Sequence, residues 1–307
     1  MALDWQRERA HWPHAERSRF VHAGVWHWHV QHWHDAPRAA RPSVLLLHGT
    51  GASAHSWRHL APLLAAHHEV IAPDLPGHAF TRGSGAVTLP AVATAVAALV
   101  QALGRPVHRI VGHSAGAAIA LQCVLDGLLA PRDLVSINGA ILPLRGPAWP
   151  WFSPLARLLA ANPLVPQAFA WHATLPFVLP RLIEGTGSRL DAAGLDLYRR
   201  LVTDAAHAAG ALRLMAAWDL EPLERALPAL ALPLTLIAAQ GDRTLAPEHA
   251  ERVQRRVAGA RLVKLAGLGH LAHEEDAARV AAAIDGPPPS PREANRPAGA
   301  APRRAAA

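Results

Sequence analysis

The chain is poor in several residue types that usually reveal a protein's chemistry or address. Among its 307 residues are one cysteine (Cys123), one lysine (Lys264), one tyrosine and two methionines. A single cysteine excludes an intramolecular disulfide and any zinc site built on cysteine pairs. In its apolar surroundings Cys123 reads as a buried spectator thiol. No run reaches the roughly 18 charge-free apolar residues of a membrane-crossing helix. Residues 226–239 come nearest and are broken by Pro228 and Pro233. The start, Met-Ala-Leu-Asp-Trp-Gln-Arg-Glu-Arg, lacks the uninterrupted apolar core of a secretory signal, so a cytoplasmic location is expected.

With lysine nearly absent, almost every positive charge is arginine. The formal net charge of +7 gathers at the ends, +2 over residues 1–42 and +3 over 286–307, which leaves +2 for 43–285. That central part shows no clustered basic face, so nucleic-acid binding is not expected. No cluster of carboxylates suggests a magnesium site. His27 and His29 share one strand face, but no carboxylate or cysteine accompanies them; they read as solvated histidines rather than a metal pair.

What the chain does have is apolar pattern, 51% of it hydrophobic, enough for a sizeable core. Residues 1–18 read as an irregular lead-in, and alternation from Ser18 to Trp33, broken at Gly24, predicts a half-buried β-hairpin. Short continuous apolar runs then alternate with helix-like stretches. Pro42–Leu47 and Glu69–Asp74 read as strands buried on both faces, and Arg109–Val111, Asp133–Gly139 with its turn, Leu234–Ala239 and Arg261–Leu265 read as further strands. Between them, Trp57–His67 can form a helix. Thr88 as N-cap, Pro90 at the first helical position and Gly104 as terminator frame another, with apolar positions 92, 96, 99, 100 and 103. Such βα alternation predicts a mostly parallel doubly wound sheet with an N-terminal antiparallel hairpin. The alternation breaks over residues 143–222, which are rich in proline and tryptophan and read as a helical cap inserted into a core made of 1–142 and 223–285. Residues 286–307, rich in Pro, Ala and Arg without periodicity, read as a disordered tail.

One motif organises the chemistry. In Arg109-Ile-Val-Gly-His-Ser-Ala-Gly116 an apolar strand runs into Gly-x-Ser-x-Gly and then into an apolar helix. This is the pattern of a nucleophile elbow, a turn so tight that only small residues fit two before and two after the serine. Two further side chains stand at predicted strand ends, Asp242 in Gln-Gly-Asp-Arg and His270 in Gly-Leu-Gly-His. Serine, then acid, then histidine is the chain order of the α/β hydrolases. In that arrangement His270 takes the proton of the Ser114 hydroxyl and Asp242 orients the ring and offsets its charge. Two backbone donors are needed for the developing oxyanion. Ala115 N–H opens the helix after the elbow, and Thr50 N–H lies in the Gly49-Thr50-Gly51 loop after the first buried strand. Losing one such donor typically costs about 3 kcal/mol of barrier. Taken singly, Ser114 could be a helix N-cap, Asp242 a turn residue and His270 a surface histidine; order and placement together favour the triad.

These segments resemble the capped α/β-hydrolase superfamily across about residues 18–285. Asp4-Trp5, Trp12-Pro13-His14, His48-Gly49-Thr50-Gly51-Ala52, His55-Ser56-Trp57, Gly112–Ala118, Asn138-Gly139-Ala140 and Gly185-Thr186-Gly187-Ser188-Arg189-Leu190 are similar to the magnesium-chelatase accessory hydrolases of bacteriochlorophyll synthesis, the BchO family. The resemblance implies a role beside magnesium insertion into protoporphyrin, no cofactor, and magnesium chelatase as an associate; it does not supply a substrate. An ester, thioester or amide of an apolar molecule, a tetrapyrrole side-chain ester among the candidates, would suit a serine hydrolase. Trp149, Trp151 and Phe152, with Leu155, Leu158, Leu159, Leu164 and Phe169, are expected to line an apolar pocket, to form cap core or to touch a membrane surface. A porphyrin-binding accessory protein with a dispensable triad is the competing reading. A lyase or cofactor-free oxygenase on the same scaffold is a third.

Overall fold

The computed structural model describes residues 3–34, 41–143, 162 and 164–286. Nine strands form one sheet: β1 (Ser18–Ala23), β2 (Trp26–Trp33), β3 (Ser43–Leu47), β4 (Glu69–Pro73), β5 (Arg82–Gly83), β6 (Arg109–His113), β7 (Asp133–Ile137), β8 (Leu234–Ala239) and β9 (Arg261–Leu265). Their order is β1-β2-β4-β3-β6-β7-β8-β9, with the two-residue β5 paired to β2. β3, β4 and β6 to β9 run parallel, and β1 and β2 add an antiparallel edge. Because β4 joins one side of β3 and β6 the other, the winding reverses between β3 and β6. A crevice opens at the carboxyl ends of such a pair, where doubly wound sheets bind their ligands.

Twelve helices follow the chain: α1 (Trp5–Glu8), α2 (Leu60–Ala65), α3 (Leu89–Leu103), α4 (Ala115–Leu125), α5 (Leu164–His172), α6 (Val178–Gly185), α7 (Ala192–Val202), α8 (Ala205–Ala216), α9 (Glu221–Ala226), α10 (Glu248–Gln254), α11 (Ala272–Glu275) and α12 (Ala277–Asp285), counted over the described residues. One core lies between the sheet and α3 and α4, with Leu45, Leu47, Val92, Val96, Ile110 and Ile119 buried in it. The opposite core packs Val44, Leu46, Trp57, Leu60, Val111 and Val280 under α2 and α12. The central strands are apolar at consecutive positions because consecutive side chains enter different cores. α5 to α9 stand between β7 and β8, with no strand among their described residues.

Several local expectations need correction. Residues 3–17 are not irregular: α1 is N-capped by Asp4, whose carboxylate accepts from Arg7 N–H at 3.2 Å, and Ala15–Arg17 form a 3-10 turn. This segment covers the histidine face of β2. His29 is therefore fully buried rather than solvated, with the Trp5 and Phe80 rings 4.9 and 5.2 Å away, and β2 is buried along nearly its whole length. In α3, Thr88 is the N-cap but Pro90 sits second; Gly104 ends the helix in the left-handed region, φ 64°. The expected Trp57–His67 helix is a 3-10 turn over Ala54–Trp57 followed by α2.

Candidate active site

β6 delivers Ser114 into a backbone conformation that side chains rarely adopt, φ 49° and ψ −114°. Close packing forces the turn. A Cβ on Gly112 would lie 2.4 Å from Ala117 N, and one on Gly116 would lie 2.0 Å from the Leu47 carbonyl at the end of β3. Both positions are glycine because backbone occupies the space. β7 braces the elbow from the other side: Ser114 N–H donates to Ile137 O at 3.0 Å and Ala140 N–H to Ser114 O at 2.9 Å.

Asp242 and His270, 28 residues apart, come together after β8 and β9. His270 Nδ1 donates to Asp242 Oδ2 at 2.7 Å, both residues 6% exposed. The other carboxylate oxygen accepts from Thr244 N–H at 2.8 Å and Leu245 N–H at 2.9 Å, so the acid is held as an acceptor. With its proton on Nδ1, the imidazole carries its lone pair on Nε2, the atom a general base needs. Ser114 makes no hydrogen bond to His270 in this conformation, and such contacts commonly tighten only when substrate is bound. The serine's chain neighbour does reach that loop: His113 Nε2 donates to His270 O at 2.9 Å, with the two rings 4.8 Å apart.

Sequence reasoning overlooked the residues that set the histidine loop. Asn138, itself left-handed at φ 44°, donates from Nδ2 to the carbonyls of Gly269 and His270 at 3.1 and 2.9 Å and accepts from Ala239 N–H at 2.8 Å. Glu275 accepts from Gly269 N–H at 2.8 Å. An Asn-Gly pair after a strand reads as a turn; the left-handed asparagine was the available signal.

The loop after β3 meets the elbow directly, since a Cβ on Gly49 would lie 3.0 Å from Ser114 Cβ. His48 fixes that loop, donating from Nδ1 to Gly49 O and accepting at Nε2 from Leu75 N–H, both at 2.8 Å. Neither Thr50 N–H nor Ala115 N–H donates to a protein acceptor among the described residues. Both are thus free to serve an oxyanion.

Histidines crowd this region and carry no charge at neutral pH. Burial, reinforced by neighbouring imidazoles, pushes His48, His78 and His273 down to about 3. Burial likewise takes His207 to about 4 and His113 well below the ordinary range. They offer the site oriented dipoles rather than cations.

A second Ser-His-Asp array lies outside the site. Ser18 donates to His29 Nε2 at 3.0 Å, and His29 Nδ1 donates to Asp74 Oδ2 at 2.8 Å. Burial favours a neutral Asp74, yet His29 and the Ala54 and Phe80 N–H groups outweigh it and hold the acid at about 2. Ser18, however, has ordinary extended backbone and sits in a strand paired with β2. His32, His34 and Glu69 bring three donor atoms within 4.8 Å of one another at the opposite, amino end of β4. There the Arg105 guanidinium already stands 3.7 Å from Glu69 and 3.2 Å from His34 Nε2, supplying the positive charge a metal would bring. Trp149, Trp151 and Phe152, with Leu155, Leu158 and Leu159, lie outside the described residues. Leu164 and Phe169 are 65% and 39% exposed on α5.

Comparison with known proteins agrees with this architecture. Residues 44–283 match the model of the alpha/beta hydrolase family. The magnesium-chelatase 30 kDa subunit of Rhodobacter capsulatus is 39% identical over 267 residues, 86% of this chain and 92% of that protein. An uncharacterized protein of Mycobacterium tuberculosis is 29% identical over 257 residues, 78% of this chain and 72% of its own. Among solved structures, an α/β hydrolase fold protein from Burkholderia ambifaria superposes with TM-score 0.70 at 22% identity, over 86% of this chain and 98% of that one. A thermophilic esterase from Thermogutta terrifontis gives 0.67 at 23%, over 87% and 96%. At such identities the two structures speak for the fold alone. No helix among the described residues is long and apolar enough to cross a membrane. The chain belongs to the α/β hydrolase family, and within it resembles the magnesium-chelatase 30 kDa subunit over most of its length.

Proposed function

We propose that the chain is a serine hydrolase working through an acyl-enzyme on Ser114, in bacteriochlorophyll synthesis beside magnesium chelatase. The observation that carries the reaction is the 2.7 Å Asp242–His270 pair at the carboxyl ends of the sheet that presents the strained Ser114. Ser114 Oγ attacks the substrate carbonyl carbon while His270 Nε2 takes its proton. The carbonyl oxygen, now an oxyanion, accepts from Thr50 and Ala115 N–H. Its collapse expels the leaving group, which receives the proton from His270, and leaves Ser114 acylated. Water then repeats the cycle, giving its proton to His270 and releasing the acid. No step draws on a cofactor.

An apolar ester, thioester or amide suits this chemistry, and a tetrapyrrole side-chain ester fits the pathway. The association with chelatase is supported by the Rhodobacter relative, whose name records a chelatase subunit; the pathway is what the sequence resemblance implies, and a cytoplasmic setting is proposed with it. That same name supports a second reading, an accessory protein that binds porphyrin and leaves the triad unused.

A fluorophosphonate probe should label the protein at Ser114 and leave Ser114→Ala unlabelled; an unlabelled, well-folded wild type refutes the hydrolase. Introduced into a deletion strain, stable Ser114→Ala should fail to restore pigment. Full restoration would favour the accessory role.

A further inference from the structure

The helical stretch between β7 and β8 touches the acid, histidine and oxyanion loops of the candidate site. Thr186 O accepts from two amides at once, Arg243 N–H at 3.0 Å beside Asp242 and His270 N–H at 3.3 Å. Ser188, fully buried, accepts at Oγ from Leu271 N–H at 2.8 Å. Between them Gly187, at φ 83°, leaves no room for a side chain: a Cβ there would lie 1.9 Å from Gly241 O. The grip continues past the histidine. Glu275 bonds the Arg189 and Gly269 amides at 3.2 and 2.8 Å, and Tyr198 on α7 donates to Glu274 at 2.7 Å.

The oxyanion loop is held from the same stretch. His207, on α8 and 1% exposed, donates from Nε2 to Gly51 O at 3.2 Å and accepts at Nδ1 from Ala79 N–H at 3.0 Å. One ring therefore bridges the loops after β3 and β4. Beside it the helix backbone rests on the β4 loop, since a Cβ on Gly210 would lie 1.9 Å from Gly77 O. A lid that swings needs a face that parts from its seat at low cost. Here the two parts share buried hydrogen bonds and backbone contacts, and each bond broken without a new partner leaves a buried polar group unpaired at a cost.

We infer that residues 185–191 and His207 form a fixed clamp on the acid, histidine and oxyanion loops, with Ser188 and His207 acting as positioning residues for the reaction proposed above. The clamp stays seated through turnover, so substrate reaches Ser114 without this part of the helical stretch lifting. The inference about reaction rests on the serine-hydrolase reading; the inference about seating does not.

Two experiments separate them. In native-state hydrogen exchange on the wild type, the amides of Arg243, His270 and Leu271 should exchange as slowly as those of β6 and β7. Joint fast exchange of these three amides, with the strands still protected, would mean a lifting lid and overturn the clamp. In kinetics, Ser188→Ala and His207→Ala should slow fluorophosphonate labelling of Ser114 by about 10- to 100-fold, the usual effect of a misplacement near 1 Å. His207→Gln, which can still donate toward Gly51, should recover part of the loss. Wild-type rates in folded variants would refute the positioning roles. Failure of the wild type to label would sink the hydrolase reading instead and leave the exchange result to decide the clamp.

Discussion

The neutral histidines around the site make an acid-labile protein, and His273 is the ring that tests it. His48, His78 and His273 stand at about 3 and His207 at about 4 in the fold, against 6.5 for a free imidazole, each lowered first by burial. A lowered folded value means that only the unfolded chain binds protons as pH drops below 6.5. Stability is therefore intact above that pH and is lost on the way down toward the folded values. Between about pH 7.5 and pH 5.5 each ring costs about 1.4 kcal/mol, roughly 5–6 kcal/mol for these four. Glu274 works the other way. Burial lifts its carboxyl to about 7 in spite of Arg58 and Tyr198, so the folded chain gains a proton over the same range and recovers about 2 kcal/mol. The net loss of about 4 kcal/mol is a large part of the 5–15 kcal/mol that holds a typical domain together. Both nitrogens of His273 lack a hydrogen-bond partner, and its ring lies against Trp57 and His113 at 4.6 and 4.4 Å. His273→Phe keeps an aromatic ring there and removes the titrating group. Urea unfolding at the two pH values should show the variant losing about 1.4 kcal/mol less than the wild type, whatever its stability at the higher pH. An equal loss in both proteins would show that His273 is not held neutral by burial.

Four further outcomes follow from the same contacts. Asp242→Asn keeps the shape of the pair but removes the carboxylate that holds His270 in its base-competent form; fluorophosphonate labelling of Ser114 should slow by about 10³–10⁴-fold. Ser18→Ala should leave that labelling unchanged and no adduct should be found on Ser18 by peptide mapping, since Ser18 sits on ordinary extended strand backbone rather than at a strained turn. Arg58→Met strands the buried Glu274, with which Arg58 forms a direct ion pair; chemical denaturation near neutral pH should register a loss of about 3–5 kcal/mol. Cys123, buried with its thiol donating to Ala93 O at 3.5 Å and pushed by burial up to about 12, should resist an aromatic disulfide reagent in the native protein and react on unfolding.

The sheet was legible because its strands announce themselves locally. Val44–Leu47, apolar at every position, and Leu234–Ala239, apolar at all but Thr235, make sense only if both faces are covered, and both are covered. Ser114, Asp242 and His270 could be read as strand-end residues for the same reason. What stayed hidden depends on contacts between distant segments. The burial of His29 follows from residues 3–17 folding over β2, and alternation along β2 says nothing about what lies on its second face. The Gly-Thr-Gly-Ser segment could be noted as a resemblance but not as a clamp, because Thr186 meets residues 57 and 84 positions further along. Polar atoms of a loop choose such partners through tertiary geometry, which leaves no periodicity to detect.

The paired arrays show why hydrogen bonds alone do not define a reactive serine. Ser18–His29–Asp74 has the same atoms in the same order as the candidate triad, and its serine is already bonded to the imidazole, which Ser114 is not. Counting contacts would rank it first. The difference lies in what surrounds the hydroxyl. His29 is packed by Trp5, Phe20 and Phe80, with ring centres 4.9 to 5.3 Å away, and the amides near its acid are spent on Asp74 itself. Besides its base an attacking serine needs donors aimed at the oxyanion, each worth about 3 kcal/mol of the barrier, and Ser18 lies on ordinary extended backbone within β1. Ser114 carries a strained backbone, stands where the sheet reverses its winding, and has the Thr50 and Ala115 amides unspent beside it. A folded protein satisfies buried polar groups wherever it can. The places where it leaves donors free and a backbone strained are therefore the ones to be explained by chemistry, and here both fall at the elbow and the loop beside it.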